Sequence, residues 1–187
     1  IYIILTNFLI LMFLSQNLAN LNDYYIVDVI SSNKFSKKKK AIEKKTGKFV
    51  LLNKIVKNVE GIDELKRKHI FFRREVSIFL RINHPAILKI KKISFPIFQK
   101  NNKYGVTLIT NFLENGNISK LTRKYLDANG QNNDKMNPLI RSKIIFGVAS
   151  VMKYLHSHEV IIKNLMLKNI LLDENLEPKI SIIPYES

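Results

Sequence analysis

The stretch Tyr154–Asp173, YLHSHEVIIKNLMLKNILLD, constrains this chain more than any other. Its first residues read as a helix end, its middle as a short polar loop, and Asn169-Ile170-Leu171-Leu172 as the start of a buried strand. Such a sequence needs a folded domain around it, and 187 residues suffice for one domain with a real core. A hydrophobic content of 46% argues against disorder although 25% of residues are charged. The absence of cysteine excludes disulfides and thiolate metal sites, and four scattered histidines without paired spacing argue against zinc.

Ile1–Leu14 is apolar apart from Thr6 and Asn7, and shorter than the roughly 18 residues of a membrane span. It has no basic start, and no small-residue cleavage site precedes Asn20. Two readings stand: a non-native or degenerate extension, or a membrane-directing segment. The first residue is Ile rather than Met, so a true start is expected to lie upstream.

From Tyr24 the pattern changes. Tyr25, Val27 and Val29 alternate with Ile26, Asp28 and Ile30, which predicts a strand. Thr46-Gly47 predicts a turn into a second apolar run, Phe49–Ile55. Asp63–Ile82 reads as a helix with Asp63 as N-cap and Phe72, Val76, Phe79 and Leu80 on one face. Leu88–Ile97 and Tyr104–Thr110 read as a hairpin across a polar turn, Gln99–Lys103. Ile118–Leu126 reads as a short amphipathic helix and Asp127–Asn137 as a polar loop. Asn137-Pro138 then opens a long helix by the rule that Pro favours the first turn. Its apolar stripe is Ile140, Ile144, Ile145, Val148, Met152 and Leu155, with His156 and His158 at its end in structural roles.

Taken together these segments resemble a eukaryotic protein kinase of the Ser/Thr type. The loop after the long helix is similar to H-R-D-L-x-x-x-N, with Ile162, Lys163 and Asn164 at the first three positions and Leu165 and Asn169 kept. Ser31–Ala41 falls at the glycine-rich loop, with Ser31, Asn33 and Ser36 at the glycines, Phe35 kept and Lys38 at the Val. Phe49–Ile55 falls at V-A-I-K, with Leu51 at the small residue roofing the adenine and Asn53 at the phosphate-binding Lys. Lys54 is one residue on and should point to the other face. Phe72–Val76 resembles the helix that carries the partner glutamate, here Glu75. His84-Pro85-Ala86-Ile87-Leu88 is close to H-P-x-I-L. Thr110–Gly116 resembles the hinge, with Thr110 as gatekeeper and Leu113 beside the base. Ile182-Ile183-Pro184 stands at D-F-G, while Ile162, Phe79 and Ile183 keep the apolar spine.

The resemblance implies an α+β, kinase-like fold, with an extension over residues 1–23 and a partial domain over 24–187. The small lobe would take residues 24–110, the hinge 111–116 and the start of the large lobe 117–187. The activation segment and later helices lie beyond residue 187, so an apolar stripe of the long helix is expected to be exposed. For the family, the resemblance implies ATP and Mg2+ as cofactors and phosphotransfer to a protein hydroxyl. Chemistry at the named positions argues otherwise for this chain. Asn164 cannot take a proton as the loop Asp does, and Ile182 offers a hard cation no oxygen. Asn53 carries no charge, and the loop has no glycine to let phosphates approach. Of the principal groups only Glu75 and Asn169 remain.

The reading is therefore a pseudokinase-type interaction module with no bound cofactor expected. A non-functional partial gene product is one alternative. An active kinase whose cation is relocated to Lys37 or Lys38 is another. Residues 34–103 hold 21 Lys/Arg against 5 acids, which accounts for the formal net charge of +16. That concentration suits a protein partner and weak polyanion binding, without specific nucleic-acid recognition. Membrane contact is expected only through residues 1–14, and a cytoplasmic location otherwise.

Overall fold

In a computed structural model, the structure describes residues 15–34, 36–58, 77–95, 103–124, 137–162 and 165–182. They form two units. One comprises the described residues up to Ile82 together with Lys89–Phe112; the other comprises Asn83–Leu88 and the described residues from Leu113 on.

The first unit is a five-stranded antiparallel sheet: β1 (Tyr24–Ser32), β2 (Ser36–Glu43), β3 (Phe49–Asn58), β4 (Ile90–Ser94) and β5 (Lys103–Asn111). Their order is β1-β2-β3-β5-β4. The β2–β3 turn closes on Gly47, whose φ of +68° suits glycine, with its N–H donating to Glu43 O at 2.8 Å. One sheet face carries Tyr24, Ala41, Val50, Leu52 and Ile109 as a core cluster on which Ala19 packs. The other carries Leu51, Asn53, Ile55, Leu108, Thr110 and Ile93, by the register of the ladders.

Two details differ from the sequence reading. β1 has register shifts between Ile26 and Asp28 and between Val29 and Ser31, so its side chains do not alternate simply. Ile26 and Val29 share one face, opposite Ala41 and Lys39, while Tyr25 and Asp28 share the other. The segment before β1 is also joined to the sheet. Leu18 bridges Ile93 in parallel, and Ala19 N–H donates to Ile93 O at 2.8 Å, covering the outer edge of β4.

The second unit holds α1 (Ile118–Lys124), α2 (Pro138–Ser157) and a two-stranded ladder of β6 (Ile170–Leu172) with β7 (Pro178–Ile180). α2 starts as its sequence requires: Pro138 occupies the first turn, and Asn137 Oδ1 accepts from Leu139 N–H at 2.8 Å. Its buried residues are Gly147, Val151 and Leu155. Ile145, assigned to the stripe from sequence, is 69% exposed, because it lies about 100° round the helix from Ile144. Gly147 takes the central place instead, with the Pro178 ring filling the space a Cβ would need. The His84–Leu88 segment docks on β7: Leu88 N–H donates to Ile180 O at 2.9 Å, and Ile180 N–H to Ala86 O at 2.8 Å.

Candidate functional site

Ser31, Lys38, Asn53 and Leu108 form one cross-strand row through β1, β2, β3 and β5. The same ladders pair Lys37 with Lys54 one residue along, so Lys37 and Lys54 lie on the opposite face from Lys38 and Asn53. Asn53 is fully buried, at 0% exposure, whereas Lys54 is half-buried and its chain runs over Gly105. Leu51 is the cross-strand partner of Thr110, which is also fully buried and donates its hydroxyl to Asn111 O at 3.2 Å.

The turn between β1 and β2 uses its own backbone amides. Ser36 N–H donates to Asn33 Oδ1 at 2.7 Å, and Asn33 N–H to Ser36 O at 2.9 Å. A side-chain oxygen that satisfies the turn in this way replaces the flexibility a glycine would give. One feature had no sequence signal. Lys40 Nζ lies 4.1 Å from the centroid of the Phe49 ring and 4.4 Å from that of Phe112, a double cation–π contact. Phe49 and Phe112 are distant in sequence, and only the β3–β5 pairing brings them to one lysine.

In the second unit, Asn169 ends a short 3-10 turn, Leu167–Asn169, and is buried. Its backbone carbonyl accepts from Ser181 N–H, the residue before Ile182, at 2.7 Å. Ile182 is itself buried and apolar. Leu113 is half-buried and its carbonyl closes the turn to Gly116, whose φ is +66°. Ile162 is half-buried and Phe79 likewise. Glu75 and Asn164 lie outside the described residues, as do Phe35, Lys163, Ile183 and Pro184. Among the described residues no group of three or more His, Cys, Asp or Glu could hold a metal ion.

A family model described as protein tyrosine and serine/threonine kinase matches residues 25–182. The chain belongs to the protein kinase family. Its sheet and partial helical unit are the α+β arrangement expected of that family. Among curated relatives it is 33% identical over 168 residues to "Probable inactive serine/threonine-protein kinase samkD" of Dictyostelium discoideum, covering 86% of this chain and 27% of that protein. It is 28% identical to "NUAK family SNF1-like kinase 1" of Mus musculus, covering 84% and 21%. It is 24% identical to "Carbon catabolite-derepressing protein kinase" of Saccharomyces cerevisiae, covering 87% and 23%. The chain thus spans about a quarter of the length of these relatives.

Membership implies ATP and Mg2+ for the family as a whole. The resemblance set out from the sequence assigns Lys38 and Asn53 to the family's nucleotide side of the sheet and Asn169 and Ile182 to its two magnesium positions. Of these, Asn169 alone offers a side-chain oxygen.

Proposed function

We propose that this chain is a kinase-fold domain that does not transfer phosphate and serves as a binding module for a protein partner. The observation that supports this is the β3 register: Asn53, which the resemblance aligns with the family's lysine, is neutral and buried, and the neighbouring Lys54 belongs to the opposite face. Phosphoryl transfer works through positioning and electrostatic stabilisation, so a site without that charge loses its main instrument. The residues present do not fit magnesium-ATP. Ile182 brings carbon where a cation needs oxygen, Leu51 fills space beside Thr110, and the amides of Asn33 and Ser36 are engaged within their own turn. The relative from Dictyostelium discoideum, whose name calls it a probable inactive kinase, supports the same reading. Within this proposal the domain is cytoplasmic and its binding surface is a lobe exterior.

Thermal melts with millimolar ATP, with and without Mg2+, test it. A ligand at 100 times its dissociation constant adds about 2.7 kcal/mol. For a chain of this size that is a shift of roughly 5–10 °C. The expected curves superimpose on the nucleotide-free one. A magnesium-dependent rise of several degrees that Asn169→Ala abolishes overturns the proposal.

One observation favours a second reading. Lys38 stands directly across from Asn53 on the same face, so a cation is available one strand away. An active enzyme built on it would lose activity in Lys38→Met and keep it in Lys37→Met, since Lys37 belongs to the other face.

A further inference from the structure

β1 is the free edge of the sheet among the described residues, and it is exposed along nearly all its length. Ile26 is 47%, Val27 48% and Val29 47% exposed, and Tyr25 and Ile30 are exposed with them. An edge strand this apolar is normally shortened, charged or covered, so its exposure marks a surface built for contact. Next to it lies β2, the most basic of the described strands. On the face shared by Ile26 and Val29, the register sets Lys39 opposite Val29 and Lys37 opposite Ser32, then Lys54 opposite Lys37. No acidic side chain among the described residues pairs with Lys37, Lys39 or Lys54. The acid on this face, Glu43, sits at the far end and bonds Thr46 and Lys92.

We propose that this face of the β1–β2 hairpin docks on an anionic lipid bilayer, with Ile26 and Val29 entering the interface and Lys37, Lys39 and Lys54 over the headgroups. Aliphatic side chains beside a block of unneutralised lysines are the combination such a surface selects: burial of apolar groups plus attraction to negative lipid. Two features weigh against an extended acidic protein strand as the occupant. The two bulges break the even spacing of backbone groups that strand addition needs, and Val29 N–H is already bonded to Asp28 Oδ1 at 2.7 Å. A second copy would bring the same lysine block against itself. The proposal concerns the face opposite Asn53 and stands whether or not the nucleotide site is active.

The test uses the full chain with vesicles of phosphatidylcholine, with and without phosphatidylserine. Because the chain has no cysteine, Val29→Cys carries a single environment-sensitive fluorophore. Co-sedimentation is expected only with phosphatidylserine, together with a blue shift of the label. Lys37→Gln with Lys39→Gln should weaken partitioning about 30-fold, at about 1 kcal/mol for each lysine near the surface. Ile26→Thr with Val29→Thr, both at exposed strand positions, should weaken it about tenfold and leave the circular dichroism unchanged. Binding that survives both pairs of changes assigns the membrane contact elsewhere, residues 1–14 included, and overturns the proposal. Absence of vesicle binding overturns it too, as does equal retention on heparin or polyaspartate with an unshifted label, which would assign the surface to an acidic macromolecule.

Discussion

Lys38 and Asn53 are cross-strand partners in the β2–β3 ladder, on the sheet face that also carries Leu51, Leu108 and Thr110. Asn53 is fully buried there and Lys38 half-buried, so the row carries its cation on β2 and none on β3. Restoring the family's lysine by Asn53→Lys would therefore set two ammonium groups opposite one another, one of them out of water. Burying an ammonium group beside a like charge costs on the order of 3 kcal/mol. The expected result is a melting temperature lower by roughly 6–12 °C, with no gain of nucleotide binding. Adding Lys38→Gln should recover about 1 kcal/mol of that loss by removing the like charge. An Asn53→Lys variant as stable as the parent would show that an acidic group already neutralises the site.

Gly147 of α2 packs against the Pro178 ring of β7. A methyl group at Gly147 would run into the Pro178 ring at the start of β7. Gly147→Ala gains helix propensity of about 1 kcal/mol, yet overpacking against an unyielding partner costs about 1–3 kcal/mol. Loss should win, with a net drop of up to about 2 kcal/mol in a urea melt. Gly147→Ala combined with Pro178→Ala should recover part of the drop. A Gly147→Ala chain more stable than the parent would mean the helix moves away at no cost.

The sequence carried the local devices of this fold and lost the tertiary ones. Gly47 in its turn, Asn137-Pro138 at the start of α2 and the strand over 49–55 could be read because each depends on neighbours a few residues away. The buried face of α2 could be read only in part, since Gly147 has no side chain to register in a hydrophobic pattern. Ile145 was over-read for the opposite reason: it is apolar but off the buried face. The bulges of β1, the pairing of Leu18 with Ile93 and the Phe49–Lys40–Phe112 contact are choices of partner rather than of period. At the candidate site, residue identity alone shows that Ile182 has no side-chain oxygen and Asn53 no charge. The pairing of Lys38 rather than Lys37 with Asn53 needed the register.

Just past the C-cap of α2, His158, Glu159 has a φ of 58°, a left-handed conformation that costs an ordinary side chain about 1 kcal/mol. Its neighbour Val160 N–H returns to Leu155 O at 2.9 Å, so the chain must turn there to close the helix. Glu159→Gly should stabilise the domain by about 1 kcal/mol, a rise of about 3 °C. Glu159→Val, whose branched carbon tolerates this conformation worse, should lower it. Equal melting of all three chains would show that the turn relaxes.

His84 connects stability to pH. Burial holds its pKa below the usual 6.5, and its Nδ1 accepts the Ala86 N–H at 3.1 Å, a bond the doubly protonated ring cannot make. The ring also lies 5.1 Å from that of Tyr154, whose hydroxyl accepts Asn83 N–H at 3.1 Å. Above pH 6.5 the ring is neutral whether the chain is folded or not, and His84 contributes no pH dependence. As pH falls through 6.5, the unfolded chain takes up the proton first, and stability is lost until pH passes the lower folded value. Two measurements check this. The His84 ring resonances should titrate with a midpoint below 6.5, and denaturant melts should weaken from pH 7.5 to 5.5 more in the parent than in His84→Gln. A midpoint above 6.5 would reverse the sign: the protonated ring would then be stabilised by folding, and acid would strengthen the domain until both states were charged.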